Sequence, residues 1–222
     1  MATKHLSQND KMKRSSNIYD VYNWGIPAFL SETGLKTCPN AGVCAVGCYA
    51  RSGSYRYSNV KNKYEERLVL ARSDQFETEL VADIKEAQRL ALKRGKQDCI
   101  IRIHDSGDFF SDEYAQKWFN VIRQFPTVVF YAYTKQVSYF KSLADTPENL
   151  IMIYSYGGKQ DHLIDPERDR HSKVFENETE LLDAGYADAS HNDMVAIDTN
   201  HKIGLIYHGS KKYANTKWDK VS

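Results

Sequence analysis

The chain has 222 residues, a length that suits one domain with short extensions. Hydrophobic residues make up 41% and charged residues 27%, which excludes a disordered chain and places it among folded globular proteins. A net charge of +1 builds in no global attraction to nucleic acid or to a membrane surface. No apolar run reaches membrane-spanning length and the N-terminus lacks an apolar signal core, so a cytoplasmic protein with no membrane partner is expected.

Residues 1–16 read as a polar N-terminal tail and residues 17–222 as a single α/β domain. Within it, residues 30–160 form the core, and residues 161–222 are assigned more loosely. After "IYDVYNWGIPAFLS" comes "TCPNAGVCAVGCYA", a loop marked by Pro39, Gly42 and Gly47. Residues 59–94 read as helical, with Phe76, Leu80, Ile84, Ala87 and Ala91 on one face and Gly95 as the stop. "CIIRI" is a short buried strand and "DSGD" the loop after it. Ser111 is an N-cap for a helix with Tyr114, Trp118, Phe119 and Ile122 on its apolar side. "TVVFYAYT" is a strand, "KQVSYFKSLADT" a short helix and "NLIMIYS" another strand. The β-α-β-α-β alternation over 99–158 predicts a parallel sheet with right-handed crossovers. "DMVAIDT" and "KIGLIYHG" read as two strands, with a hairpin at residues 200 and 201.

The cysteines carry the chemistry. Cytosolic thiols stay reduced, so a cluster of them points to metal or redox chemistry before disulfides. Cys38, Cys44 and Cys48 are spaced Cys-x5-Cys-x3-Cys within one loop. A structural zinc site closes with four ligands, commonly as two close pairs, and those pairs are missing here. Cys99 begins the strand that ends at "DSGD", and five strand residues span roughly 15–17 Å, which puts it out of reach. His104 is better placed as a fourth ligand. Three thiolates with one position open suit a [4Fe–4S] cluster with one iron free of protein, and zinc stays open as the alternative. In "IRIHDSGDFFSDEYAQKWFNVIRQF", Asp105 and Asp108 fall at the C-terminal end of a parallel strand, where sites in such folds are built. A helix-capping turn is the plainer account of that motif.

Together the two motifs resemble the radical S-adenosylmethionine superfamily. The resemblance implies a partial (β/α) barrel of the radical-SAM type, with Cys38, Cys44 and Cys48 holding the cluster. Ser106, Gly107 and Asp108 stand where the superfamily has Gly-Gly-Glu. Ser155 stands where a polar residue contacts the cofactor, and Tyr49, His104 and Asp105 form a possible additional site. It implies S-adenosyl-L-methionine on the open iron, an external electron donor, and an unknown substrate attacked by a 5′-deoxyadenosyl radical. This loop is longer than the superfamily's Cys-x3-Cys-x2-Cys, and Tyr49 follows the third cysteine where an aromatic residue usually precedes it. "GCYA" and "SGDFF" are also similar to the gene product 88 family of phage and plasmid proteins.

Two alternatives remain at this point. One is a non-catalytic iron–sulfur or zinc module that contacts nucleic acid through residues 49–72, where Tyr55, Tyr57 and Tyr64 alternate with Arg51, Arg56, Lys61 and Lys63. The other is a metal-independent hydrolase built on His104, Asp105 and Asp108.

Overall fold

A computed structural model describes residues 3–198 and 201–208. The chain runs α1 (Asp10–Ser15), β1 (Tyr19–Trp24), α2 (Cys44–Gly47), α3 (Ser58–Ala71), α4 (Phe76–Lys93), β2 (Asp98–Ile103), α5 (Asp112–Ile122) and β3 (Val129–Thr134). It continues through α6 (Val137–Ser142), β4 (Leu150–Ser155), β5 (His171–Phe175), α7 (Glu178–Asp183), β6 (Ala187–Asp188), α8 (Met194–Ile197) and β7 (Lys202–Ile206). Single 3-10 turns cover Tyr49–Arg51, Gly53–Arg56 and Asp161–Leu163.

The strands form one seven-stranded sheet in the order β1-β2-β3-β4-β5-β7-β6, and every pairing is parallel. It curls into a half-barrel. Side chains alternate across it with a period of two. Tyr22, Trp24, Ile101, Ile103, Phe130 and Ala132 point outward against α4 and α5. Val21, Ile100, Tyr131 and Ile153 point to the opposite, concave face.

Helix α4 follows the pattern read from its residues: Phe76, Leu80, Ile84, Ala87 and Ala91 are all buried. Moving side chains such as Phe76, Leu80 or Ile84 out of water contributes ~1.5–3 kcal/mol each. The helix ends where Gly95 takes φ +75°, with Lys96 N donating to Ala91 O at 2.9 Å and Gly95 N to Leu92 O at 3.0 Å. Ser111 caps α5 by accepting from Tyr114 N at 3.2 Å. The expected β-α-β-α-β run is present as β2-α5-β3-α6-β4.

Two expectations are corrected. Residues 3–16 are folded, not a polar tail: Leu6 and Met12 are buried, and Ser7 pairs with Asn23 of β1. Asp83 of α4 holds this segment by accepting Lys4 N at 2.8 Å and Leu6 N at 3.1 Å, with His5 N as a third donor. Met12 of α1 joins Val21 and Ile100 on the concave face. In a short segment two apolar residues are enough to dock it, and composition does not register them. The C-terminal hairpin is also absent. Met194–Ile197 forms the short helix α8, and β7 lies parallel between β5 and β6. The alternation of "VAI" suits a strand, but Ala196 docks on the concave face and tertiary packing decides. Residue 200, half of the expected turn, lies outside the described residues, as does residue 209.

Candidate functional site

The cysteine loop leaves β1 and is tied down on three sides at the C-terminal ends of the strands. Gly42 N and Cys44 N donate to Gly157 O at 3.1 and 3.2 Å, and Lys159 N donates to Asn40 O at 2.9 Å. Asp108 N donates to Thr37 O at 3.1 Å, and Phe29 N donates to the Cys38 sulfur at 3.4 Å. A Cβ on Gly42 would stand 3.0 Å from Gly157 O, so glycine allows the two loops to meet.

The loop closes over a cavity of about 180 Å³. Cys38, Cys44 and Cys48 all line it, each half-buried and none in a disulfide. The same cavity is lined by Tyr49, His104, Asp105, Ser106, Gly107, Asp108 and Ser155, so every residue of the expected site is brought together. Cys99 is buried at the start of β2 and does not line it. Burial pushes the thiols of Cys38 and Cys48 up, so without a metal they stay protonated and are poor nucleophiles. Among the described residues, no three His, Cys, Asp or Glu side chains converge to hold a single ion.

Asp108 is buried and deeply engaged. Its Oδ1 accepts from Thr134 Oγ1 at 2.7 Å and Phe109 N at 2.8 Å, and its Oδ2 from Lys135 N at 2.9 Å. Burial raises its pKa above the usual carboxylate value, opposed by those donors. A carboxylate offers about four lone-pair sites, so one acceptor site remains. Gly107 takes φ +82°, and a Cβ there would lie 2.3 Å from Ile26 Cγ1. Ser155 Oγ accepts from Lys135 Nζ at 2.8 Å, and the same ammonium donates to Ser155 O and Tyr156 O, both at 3.1 Å.

His104 takes φ +65° and faces outward, its ring 4.7 Å from that of Phe109. Trp24 Nε1 donates to Tyr114 Oη at 2.9 Å, and Tyr114 Oη lies 3.0 Å from His104 Nε2. Tyr114 Oη and His104 Nε2 share this hydrogen bond, and His104 Nδ1 is buried with no partner among the described residues. Burial pushes the imidazole down to about 3, so it is neutral at pH 7. Asp105 Oδ2 accepts from Tyr64 Oη at 2.8 Å and Tyr55 Oη at 3.2 Å, while the Tyr49 hydroxyl donates to the Asp105 carbonyl. His104, Asp105 and Asp108 are thus held by different partners and form no hydrogen-bonded relay of the kind a hydrolase needs. Tyr55 and Tyr64 are turned onto Asp105, leaving Tyr57, 64% exposed, as the open ring of the basic segment.

The residues missed from sequence are Arg102, Tyr133 and Lys135, which also line the cavity. The signal for Arg102 was present, as one cation inside the apolar run "CIIRI". Of the C-terminal histidines, His208 lines the cavity with its ring 5.3 Å from Tyr49, and His171 is buried in β5 against Tyr186 Oη at 2.9 Å.

The fold and site define a parallel α/β half-barrel with a three-cysteine cavity at the C-terminal ends of its strands. The chain belongs to the gene product 88 family, whose model matches residues 2–219. It is 36% identical over 103 residues to the Gene 88 protein of Mycobacterium phage L5, which covers 45% of this chain and 43% of the relative. The Gene 88 protein of Mycobacterium phage D29 is 35% identical over 103 residues, covering 45% of this chain and 42% of the relative. The chain thus aligns with less than half the length of these curated relatives. No solved structure matches it. No helix among the described residues is long and apolar enough to cross a membrane.

Proposed function

We propose that this chain is an iron–sulfur protein of the radical S-adenosylmethionine type, with Cys38, Cys44 and Cys48 holding a [4Fe–4S] cluster. The observation that carries the reading is that all three thiols line one cavity together with the Ser106–Asp108 loop and Ser155. When bound, a cluster with one open iron supplies an electron to S-adenosylmethionine from an external donor. The chain's own residues bind and orient. The remaining lone pair of Asp108 suits a cationic amine, a charge-assisted contact. Ser155 and Lys135 hold one another at the β4 end of the cavity, and Lys135 offsets negative charge at Cys48. Docking of Gly42 on Gly157 closes the loop over the cavity and limits water.

The test is iron and sulfide content after anaerobic purification. About 4 irons per chain are expected for a cuboidal cluster. Cys44→Ala is expected to lose most of that iron, and Cys99→Ala to keep it. Iron retained by Cys44→Ala, or lost from Cys99→Ala, would overturn the assignment.

A further inference from the structure

Opposite the cysteines, the floor of the same cavity carries a buried cation that nothing in the cluster reading uses. Arg102 points inward from β2, its side chain 13% exposed, with the guanidinium 5.2 Å over the Tyr133 ring. Its one hydrogen bond among the described residues is Nη1 to Asp193 Oδ1, at a long 3.4 Å. Nε has no partner. Asp193, 1% exposed, is already engaged by Lys11 Nζ at 3.0 Å to the same oxygen. Two cations therefore share one oxygen of that carboxylate, and its Oδ2 has no hydrogen-bond partner among the described residues.

A buried guanidinium with an unpaired N–H is costly unless an acceptor arrives. Of the other carboxylates that line the cavity, Asp108 is held by Thr134 and backbone amides and Asp105 Oδ2 by Tyr64 and Tyr55, while Asp105 Oδ1 has no partner among the described residues and makes no hydrogen bond to Arg102. A planar guanidinium fork backed by an aromatic ring matches a carboxylate or phosphate in two-point fashion. We propose that Arg102 is the binding residue for an oxyanion group of the substrate, seated on the cavity floor over Tyr133. This rests on reading the cavity as the active site and names its substrate class: a small molecule or end group bearing a carboxylate or a phosphate.

The experiment is a titration of the full chain, purified anaerobically and with its iron content measured in the same sample, using inorganic phosphate and acetate at constant ionic strength. Binding is read by calorimetry and by the rise in Tm. Wild type is expected to bind one of the two saturably, and the tighter one identifies the group. Arg102→Lys keeps the charge but loses the fork, and is expected to bind at least five-fold more weakly with its fold intact. Asp193→Asn removes the competing carboxylate, and the same anion is expected to bind at least three-fold more tightly and to raise its Tm more than that of wild type. A merely structural Arg102–Asp193 pair would not give opposite changes in these variants. Neither anion binding, equal affinity in Arg102→Lys, weaker binding in Asp193→Asn, or displacement of the anion by S-adenosylmethionine would each overturn the proposal. Iron content is scored separately, so failure of the anion site leaves the cluster reading standing, and an iron-free sample leaves the anion result readable.

Discussion

His104 shows how one residue ties the half-barrel to its site. It is neutral and buried, at the end of a hydrogen-bond chain from Trp24 through Tyr114. Its folded value is held down to about 3 by burial, against about 6.5 in an unfolded chain. Between those values the unfolded chain binds a proton that the folded protein does not. Stability is therefore full above about pH 6.5 and falls as pH drops, by about 1.4 kcal/mol per unit. His104→Asn tolerates the positive φ and removes this titration. Urea unfolding at pH 7 and pH 5 is expected to show a pH loss about 2 kcal/mol smaller in the variant than in wild type. Equal losses would mean that His104 is solvated. At this scale the cysteines and the acidic loop were legible, because their residue types have few other uses at that density. Arg102 and Lys135 were not, since a lone cation in a strand or after one reads as surface until the register shows it facing the concave side.

The loop from β2 to α5 is the element on which the site depends. Its glycine is wedged on Ile26, its aspartate bonds the start of the β3–α6 connection, and its backbone receives the cysteine loop at Thr37. Gly107→Ala forces a left-handed side chain against Ile26 and is expected to destabilise the fold by about 2–4 kcal/mol. The measurement is the urea midpoint at unchanged slope; a loss under about 1 kcal/mol would show that the loop adapts easily. Strand and helix elements between β2 and β4 were readable because buried parallel strands are continuous apolar runs and the helices carry a clean apolar face. The C-terminal elements were not. Strand β6 has only two residues, Ala187 and Asp188, and α8 only a single turn, so neither sustains a period.

At the scale of the molecule, a seven-stranded parallel sheet places every loop that follows a strand at one end. The three cysteines, the acidic loop and the basic floor meet there although they are far apart in sequence. The concave face is filled from the other side by α1 and α8, joined where Asp193 N donates to Ser15 Oγ at 3.1 Å. The gene product 88 family model matches residues 2–219, and its description assigns no reaction. The most direct test of the iron–sulfur reading is electron paramagnetic resonance on anaerobically purified, dithionite-reduced protein, with and without S-adenosylmethionine. A reduced [4Fe–4S] signal that changes shape when S-adenosylmethionine is added is the expected result. Iron-free protein, or a cluster signal indifferent to S-adenosylmethionine, would contradict it.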